Sequence, residues 1–474
     1  CFKETESLME GLTQDCLNAI EGRLIQGHIS SPFQGVSINS RTVSKGDLFV
    51  CIKGERFDGH DFLAEVIDKK VGGVILSNPK KLPNISTQAQ AEPFLIHVSD
   101  TLKALQDLAY FQRNRFPFQV VAITGTNGKS TTKEMITSIL ETKFKTLKTE
   151  GNLNNHIGLP LTLLKRESSH EMGVLELGMS AAGEIKRLAE IAQPDIGVIT
   201  NISEGHLEQL KSLKDIQSAK GELFDALKEG GTAIVNADDP LVLELAQSIR
   251  AKTITFGIDQ PADVQASEIE NRDNLGFQFK VSLFDKTLSV RLPYLGYCNI
   301  YNALAALATG YSLGIQEEAM AQGLESYQHM SQRNEQIRHK EIDLINDAYN
   351  ANPRSMTEAL RTLDNFKTQG RRIFVIGDML ELGDRSIAAH KKLGEEISES
   401  QTDIMITVGK LASLSAKSAQ LLTEKKIRIY ELTSHKEAAQ FLVQETRSGD
   451  CVMFKGSRGA AMEKVLQIFI ENKN

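Results

Sequence analysis

The sequence predicts an α/β protein of three domains: a small mixed α/β domain, a central P-loop-type parallel-sheet domain with an antiparallel flank, and a C-terminal Rossmann-like α/β domain. Three observations predict this. The 474 residues correspond to about three domains at ~150 residues each. Through the centre and the C-terminal stretch, apolar strand-like runs alternate with helical patterns, the rhythm of parallel sheets covered by helices on both faces. A glycine-rich loop lies between one such strand and the helix that follows. The expected divisions are 1–100, 101–328 and 329–474.

In the first stretch, VSINS (36–40) and DLFVCIKG (47–54) read as strands, HDFLAEVIDKK (60–70) as a helix and VGGVILS (71–77) as a buried strand. The Pro-, Asn- and Gln-rich 78–93 reads as a surface loop. A helix over 101–115 leads into FQVVAIT (118–124), a continuous β-branched run. MGVLELG, DIGVITN and GTAIVNADD follow as buried strands. Short alternating strands in 251–293 (TITFGI, GFQFKVSLF, LSVRL) suggest the antiparallel flank, and 299–314 an Ala-rich helix. Four further strands are expected at 341–348, 371–378, 403–409 and 450–456, in a topology of up to six strands. No GxGxxG follows a strand, which disfavours a dinucleotide site.

Composition excludes several classes. Hydrophobic residues are 41% and charged ones 24%, too apolar for a disordered chain. The net charge of -7 argues against a general nucleic-acid binder. No apolar run approaches the ~18–20 residues of a membrane span, and the charged CFKETESLME lacks the apolar core of a secretory signal. Cys1, Cys16, Cys51, Cys298 and Cys451 are scattered without a CxxC pair. This argues against a zinc site or a disulfide framework and suits a reducing cytoplasm.

The strongest chemical signal is AITGTNGKSTTKEM (122–135). Here Gly125, Thr126, Asn127, Gly128, Lys129, Ser130 and Thr131 connect a buried strand to a helix expected to start at about Ser130. Glycines let backbone N–H groups approach phosphate oxygens, and the helix N-terminus adds its positive end. Lys129 would neutralise the β- and γ-phosphates, and the Ser130 hydroxyl would ligate Mg²⁺. The strict GxxxxGK[ST] pattern fails, because Ile123 stands where its first glycine belongs. Glu176 ends one strand and His206 follows another, so both fall on the sheet edge where open α/β sheets bind ligands. Together they could hold Mg²⁺ directly or through water; singly, His206 also suits a helix cap or the surface. Lys220, on the next helical pattern, reads on its own as a solvated charge.

These segments, with EGNLNNHIGLPLTLL (150–164), ELGMS (176–180), NISEGHLEQLKSLKDIQSAKGELF and YNALAALA, resemble the Mur ligases, ATP-dependent amide-forming enzymes of peptidoglycan precursor synthesis. The resemblance runs from about Ser37 to Glu463. GERFDGHDF (54–62), NDAYNANPRSM (346–356), VIGDMLELGDRSIAAH (375–390) and FKGSRGAAME (454–463) are similar to the branch acting on UDP-MurNAc-tripeptide and D-alanyl-D-alanine. It implies ATP and Mg²⁺ as cofactors, an acyl-phosphate intermediate, a monomer and a cytoplasmic location. It further implies that Glu176 and His206 bind Mg²⁺ and that Asn155 lies near the phosphates. Asn299 and Asn302 would meet adenine, Arg333 the phosphates and Asp347 the ribose. Lys220 matches a lysine carried as a carbamate. Ser40, Arg41 and the loop Arg56, Phe57, Asp58, Gly59, His60 match UDP-sugar contacts. Two departures stand out: Asn39 where relatives usually have Asp, and Cys298 where His is common. A sister ligase adding the third peptide residue, or a folylpolyglutamate synthetase, would share the phosphate loop; a nucleotide-dependent switch would not need the other two domains.

Overall fold

The computed structural model describes residues 9–83, 93–116, 118–205, 210–328, 330–422 and 427–473. Three α/β sheets follow one another along the chain, beside a two-stranded ribbon near the start. Among the described residues no helix is long and apolar enough to cross a membrane.

The first sheet has five strands, in the order Gly22–Gln26, Phe94–Val98, Gly73–Leu76, Leu48–Val50, Val36–Ser37. Only Gly22–Gln26 runs antiparallel to its neighbour. The two runs expected over 36–40 and 47–54 contract to Val36–Ser37 and Leu48–Val50. The helical pattern of 60–70 splits into a 3-10 turn, Gly59–Phe62, and a short helix, Leu63–Asp68. Most of the expected 78–93 loop, 84–92, lies outside the described residues. Gly73 pairs with Phe94 across the sheet, and a Cβ on Gly73 would lie 2.2 Å from the Phe94 ring. That gap lets Phe94 reach Phe33 edge-on, with ring centroids 6.3 Å apart.

The helix Thr101–Arg115 forms where expected. Asp100 caps it by accepting from the N–H groups of Leu102 and Lys103 at 2.8 and 3.0 Å, and Arg113 and Arg115 complement its C-terminal end. Its buried Leu105 and Leu108 belong to one core with Leu48 and Ile96 of the first sheet and Val120 and Leu159 beyond it. The first sheet and the central sheet are therefore packed on the same helix.

The central sheet has nine strands. Gln119–Thr124 lies in its parallel part, between Met172–Glu176 and Ile196–Ile199. The expected antiparallel flank needs one correction. TITFGI (253–258) supplies all but its last residue to Lys252–Gly257, which pairs parallel to Thr232–Asn236, because the helix Pro240–Ala246 carries the chain back across the sheet between them. Only Val264–Asn271, Phe277–Leu283 and Lys286–Leu292 form the antiparallel ribbon.

The C-terminal sheet has six strands, in the order Glu335–His339, Ile342–Asp347, Cys451–Lys455, Arg372–Gly377, Ile404–Val408, Arg428–Leu432. Its four inner strands are the four expected ones. The two edge strands are only partly buried, so their apolar signal is diluted.

The Gly73–Phe94 contact gives a test of the first sheet. Gly73→Ala should overpack this core by about 1–3 kcal/mol and lower the first calorimetric unfolding transition by several degrees. An unchanged transition would contradict the packing.

Candidate active site

The phosphate-loop segment forms a tight turn at the end of Gln119–Thr124. Gly125 and Gly128 have φ of +148° and +84°, and a Cβ would lie 1.9 Å from Thr200 Oγ1 at the first and 2.3 Å from Asn302 Oδ1 at the second. Both positions therefore require glycine. Ile123 is fully buried within the strand, so the turn starts two residues after the place where the strict pattern puts its first glycine. The helix Lys129–Leu140 starts one residue before the expected Ser130, with Gly128 as its cap. The loop is tied to the next strand end: Thr126 N–H donates to Asn201 O at 2.9 Å, and Thr200 Oγ1 donates to Asn127 O at 2.7 Å.

Two lysine amines meet on one acceptor. Lys129 Nζ donates to Gly125 O at 3.0 Å and to Thr126 O at 3.1 Å. Lys220 Nζ, from the helix Leu213–Asp225, donates to the same Gly125 O at 2.9 Å. Lys220 is 2% exposed. Burial first, and then the charge of Lys129, push its pKa well below the ordinary lysine value. Burial also lowers the pKa of Lys129; Glu176 opposes that shift and Arg333 adds to it.

Glu176 ends its strand 2% exposed. Its Oε1 accepts from Asn154 Nδ2 at 2.8 Å, whereas Oε2 is buried with no hydrogen-bond partner among the described residues. An acceptor oxygen left bare in a buried site fits a divalent cation. Ser130 Oγ faces the same cleft and accepts from Arg333 Nη2 at 3.0 Å. His206, the other expected ligand, lies outside the described residues. A carboxylate oxygen and a hydroxyl are hard oxygen donors of the kind Mg²⁺ takes, the remaining positions going to water and phosphate.

The C-terminal sheet closes the other side. Arg333 stacks over Tyr349, 4.0 Å from the ring centroid. Asp347 Oδ2 pairs with Lys455 Nζ at 2.6 Å, and Asp347 Oδ1 accepts from Asn334 N–H at 3.1 Å. Asn352 and Asn127 exchange side-chain amide hydrogen bonds, at 2.8 and 3.3 Å. On the helix Cys298–Ser312, Asn302 Nδ2 donates to Asn299 Oδ1 at 3.0 Å and Asn302 Oδ1 accepts from Thr132 Oγ1 at 3.2 Å. Asn302 thus braces the loop as well as facing the cleft. Asn155 Oδ1 accepts from the N–H groups of Ile157 and Gly158 at 3.1 and 2.9 Å, at the start of the helix Gly158–Leu164. Every described residue expected to meet nucleotide or metal lines this one cleft of about 1570 Å³.

The first-sheet residues do not line it. Asp58 Oδ1 lies 2.6 Å from His60 Nδ1, and its Oδ2 accepts from Lys81 at 2.8 Å. Burial would raise the Asp58 pKa, but Lys81 and His60 outweigh it and hold the carboxyl well below its usual range. His60 is 3% exposed and its Nε2 accepts from Ser77 N–H at 3.0 Å. A Cβ on Gly59 would come within 2.9 Å of the Ile52 backbone nitrogen. Asp58, Gly59 and His60 thus hold the loop from within. Ser40 is buried, and Arg41, Arg56 and Phe57 are exposed.

Comparison with known proteins matches this arrangement along nearly its whole length. Family models match over three stretches: the Mur ligase family catalytic domain over 32–113, the Mur ligase middle domain over 123–310, and the Mur ligase glutamate ligase domain over 332–458. A Bacillus subtilis protein named UDP-N-acetylmuramoyl-tripeptide–D-alanyl-D-alanine ligase is 37% identical over 456 residues, covering 95% of this chain and 97% of that protein. The chain belongs to the Mur ligase family. An Escherichia coli protein of the same name is 35% identical, over 92% of this chain and 94% of its own. The crystal structure of MurF from Acinetobacter baumannii superposes with a TM-score of 0.89 at 32% identity, covering 98% of this chain and all (100%) of that one.

Within this Mur ligase fold, three residues with contacts at the site escaped the sequence reading: Asn154 on Glu176, Asn352 on Asn127, and Lys455 on Asp347. Each lies inside a segment that carried the family resemblance, so the signal was the segment and not the residue. The two departures are accommodated. Asn39 Oδ1 accepts from Arg41 N–H at 3.0 Å. Burial chiefly pushes the Cys298 thiol up to about 12, leaving it neutral.

The buried Lys220 amine gives a prediction with a definite sign. The unfolded chain binds this proton more tightly than the folded one, so without CO₂ the buried amine destabilises the fold below the unfolded lysine pKa of ~10.4. That penalty shrinks as pH rises toward ~10.4. Lys220→Met should therefore be most stable relative to the parent near neutral pH, and the gap should narrow toward pH ~10. Thermal unfolding in CO₂-free buffer across this range measures it; a constant gap would contradict a depressed Lys220.

Proposed function

We propose that the chain joins D-alanyl-D-alanine to UDP-MurNAc-tripeptide, cleaving ATP with Mg²⁺ and passing through an acyl phosphate. The observation that carries this is the convergence, in one cleft, of the glycine loop with Lys129, the bare Glu176 oxygen, Arg333 from just before the third sheet and Asp347 from within it. The full-length likeness to relatives bearing that activity's name supports the choice of substrates.

The chemistry assigns work to each group. The tripeptide carboxylate is a poor electrophile, so its oxygen first attacks the γ-phosphorus of ATP and ADP leaves. That transfer rests on positioning and charge neutralisation, which the loop N–H groups, Lys129 and Arg333 supply. Ser130, Glu176 and His206 would hold Mg²⁺, which neutralises phosphate charge. Asn155 would meet the phosphates, Asn299 and Asn302 adenine, and Asp347, held by Lys455, the ribose. The dipeptide amine then attacks the activated carbonyl, and phosphate departs from the tetrahedral intermediate. Acyl phosphates hydrolyse, so a closing C-terminal domain serves to exclude water. The proposed divisions are 1–100 for the UDP-sugar, through Ser40, Arg41 and the loop Arg56, Phe57, Asp58, Gly59 and His60; 101–328 for ATP; and 329–474 to complete the site.

Lys220 takes a carbamate in this account. Its neutral amine attacks CO₂, forming an N–C bond and releasing one proton. The resulting anion beside Lys129 replaces a repulsion between two cations with an attraction.

Incubation with ATP, Mg²⁺, D-alanyl-D-alanine and a UDP-tripeptide ending in diaminopimelate or in lysine should yield pentapeptide of the corresponding mass. Phosphate release without any pentapeptide would overturn the assignment. Lys129→Ala should lower turnover by at least ~10³; activity within tenfold of the parent would remove Lys129 from the mechanism. Arg56→Ala should raise KM for UDP-tripeptide and leave KM for D-alanyl-D-alanine nearly unchanged. Equal effects on both would assign the loop to packing.

A further inference from the structure

We propose that Lys133, one helical turn beyond Lys129, is a positioning residue that fixes Glu176 relative to the phosphate loop. This deepens the reading above and rests on Glu176 being the cation ligand. Lys133 is fully buried on the helix Lys129–Leu140, where an apolar side chain would fill the same space without carrying a charge out of water. Its Nζ donates to Thr149 O at 2.5 Å and pairs with Glu134 Oε1 at 2.8 Å. Glu134 Oε2 pairs in turn with Lys148 at 2.6 Å. The ammonium is thus compensated, with one strong donor directed at a single carbonyl.

That carbonyl lies where the strand Thr146–Lys148 ends and the chain turns toward Glu176. Thr149 is also fully buried. Its Oγ1 accepts the Glu176 backbone N–H at 3.0 Å, and its own N–H donates to Val174 O at 3.1 Å. Further along the same segment, Asn154 Nδ2 holds Glu176 Oε1 at 2.8 Å, and Asn154 O accepts from Gly178 N–H at 2.8 Å. The segment grips Glu176 by backbone and by carboxylate, and Lys133 anchors its first residue to the helix that carries the phosphate loop. Partners of this kind behind a metal ligand set its orientation and typically contribute 10- to 100-fold to metal affinity, on the order seen for such outer contacts.

The test uses Mn²⁺ in place of Mg²⁺, titrated by electron paramagnetic resonance into the full chain with ADP. Metal-free ADP affinity by calorimetry and thermal unfolding are measured beside it. Lys133→Met and Thr149→Val should each weaken Mn²⁺ about tenfold while ADP affinity without metal stays within about twofold. Lys148→Met, which leaves the Lys133–Thr149 bond in place, should bind Mn²⁺ as the parent does. Glu176→Gln should lose the Mn²⁺ site. If Lys133→Met and Thr149→Val fold and keep parental Mn²⁺ affinity while Glu176→Gln loses it, Lys133 only stabilises the helix and the proposal fails. If Lys148→Met weakens Mn²⁺ equally, the effect is general electrostatics and the proposal also fails. If Glu176→Gln itself keeps the affinity, the cation reading falls and the proposal falls with it. Should Lys133→Met not fold, Lys133→Gln, shorter and neutral, takes its place in the same comparison, because it too loses the bond to the Thr149 carbonyl.

Discussion

The carbonyl oxygen of Gly125 accepts from two lysine amines at once, Lys129 at 3.0 Å and Lys220 at 2.9 Å. Two ammonium ions cannot share a buried acceptor without repulsion that the low local dielectric magnifies. Burial and the charge of Lys129 lower the Lys220 pKa well below its ordinary value, and burial lowers that of Lys129 as well. The surrounding structure serves that constraint. Gly125 is glycine because its φ and the Thr200 hydroxyl leave no room for a Cβ. The strand behind it lies within the parallel part of the widest sheet, and the helix after it is braced by Asn302.

The same constraint links the site to the C-terminal sheet. Arg333 adds positive charge near Lys129 and donates to the Ser130 hydroxyl, an arrangement that an anionic phosphate chain would relieve. The reciprocal Asn127–Asn352 amide pair joins the phosphate loop to the first residues before the helix Pro353–Asn365. That pair is a direct tie between the C-terminal part of the chain and the loop. The first sheet stands differently. It shares a core with the central sheet through the helix Thr101–Arg115, while its exposed Arg56 and Phe57 lie away from the cleft.

Much of this was legible in the sequence where burial is complete. Runs such as QVVAIT and the four inner C-terminal strands are apolar on both faces, and the glycine loop follows its strand in the order phosphate binding requires. The half-exposed edge strands Glu335–His339 and Arg428–Leu432 escaped, since their apolar residues do not stand out. Strand direction escaped as well: nothing in TITFGI distinguishes a parallel partner from an antiparallel one, because the crossover helix decides it. At the site, residue type marked Lys129, Ser130 and Glu176, whereas Asn154 and Asn352 act by placement alone. Asp58 and His60 bond to one another and to Lys81 and Ser77, a set of partners that residue type alone did not show.

In the proposed reaction the tripeptide carboxylate is phosphorylated before the amine attacks. Transfer of ¹⁸O reads this step, using UDP-tripeptide labelled in the terminal carboxylate oxygens together with unlabelled ATP and D-alanyl-D-alanine. One ¹⁸O atom is expected in each phosphate released with product, read by mass spectrometry or ³¹P NMR. Phosphate free of ¹⁸O, with pentapeptide still formed, would contradict it.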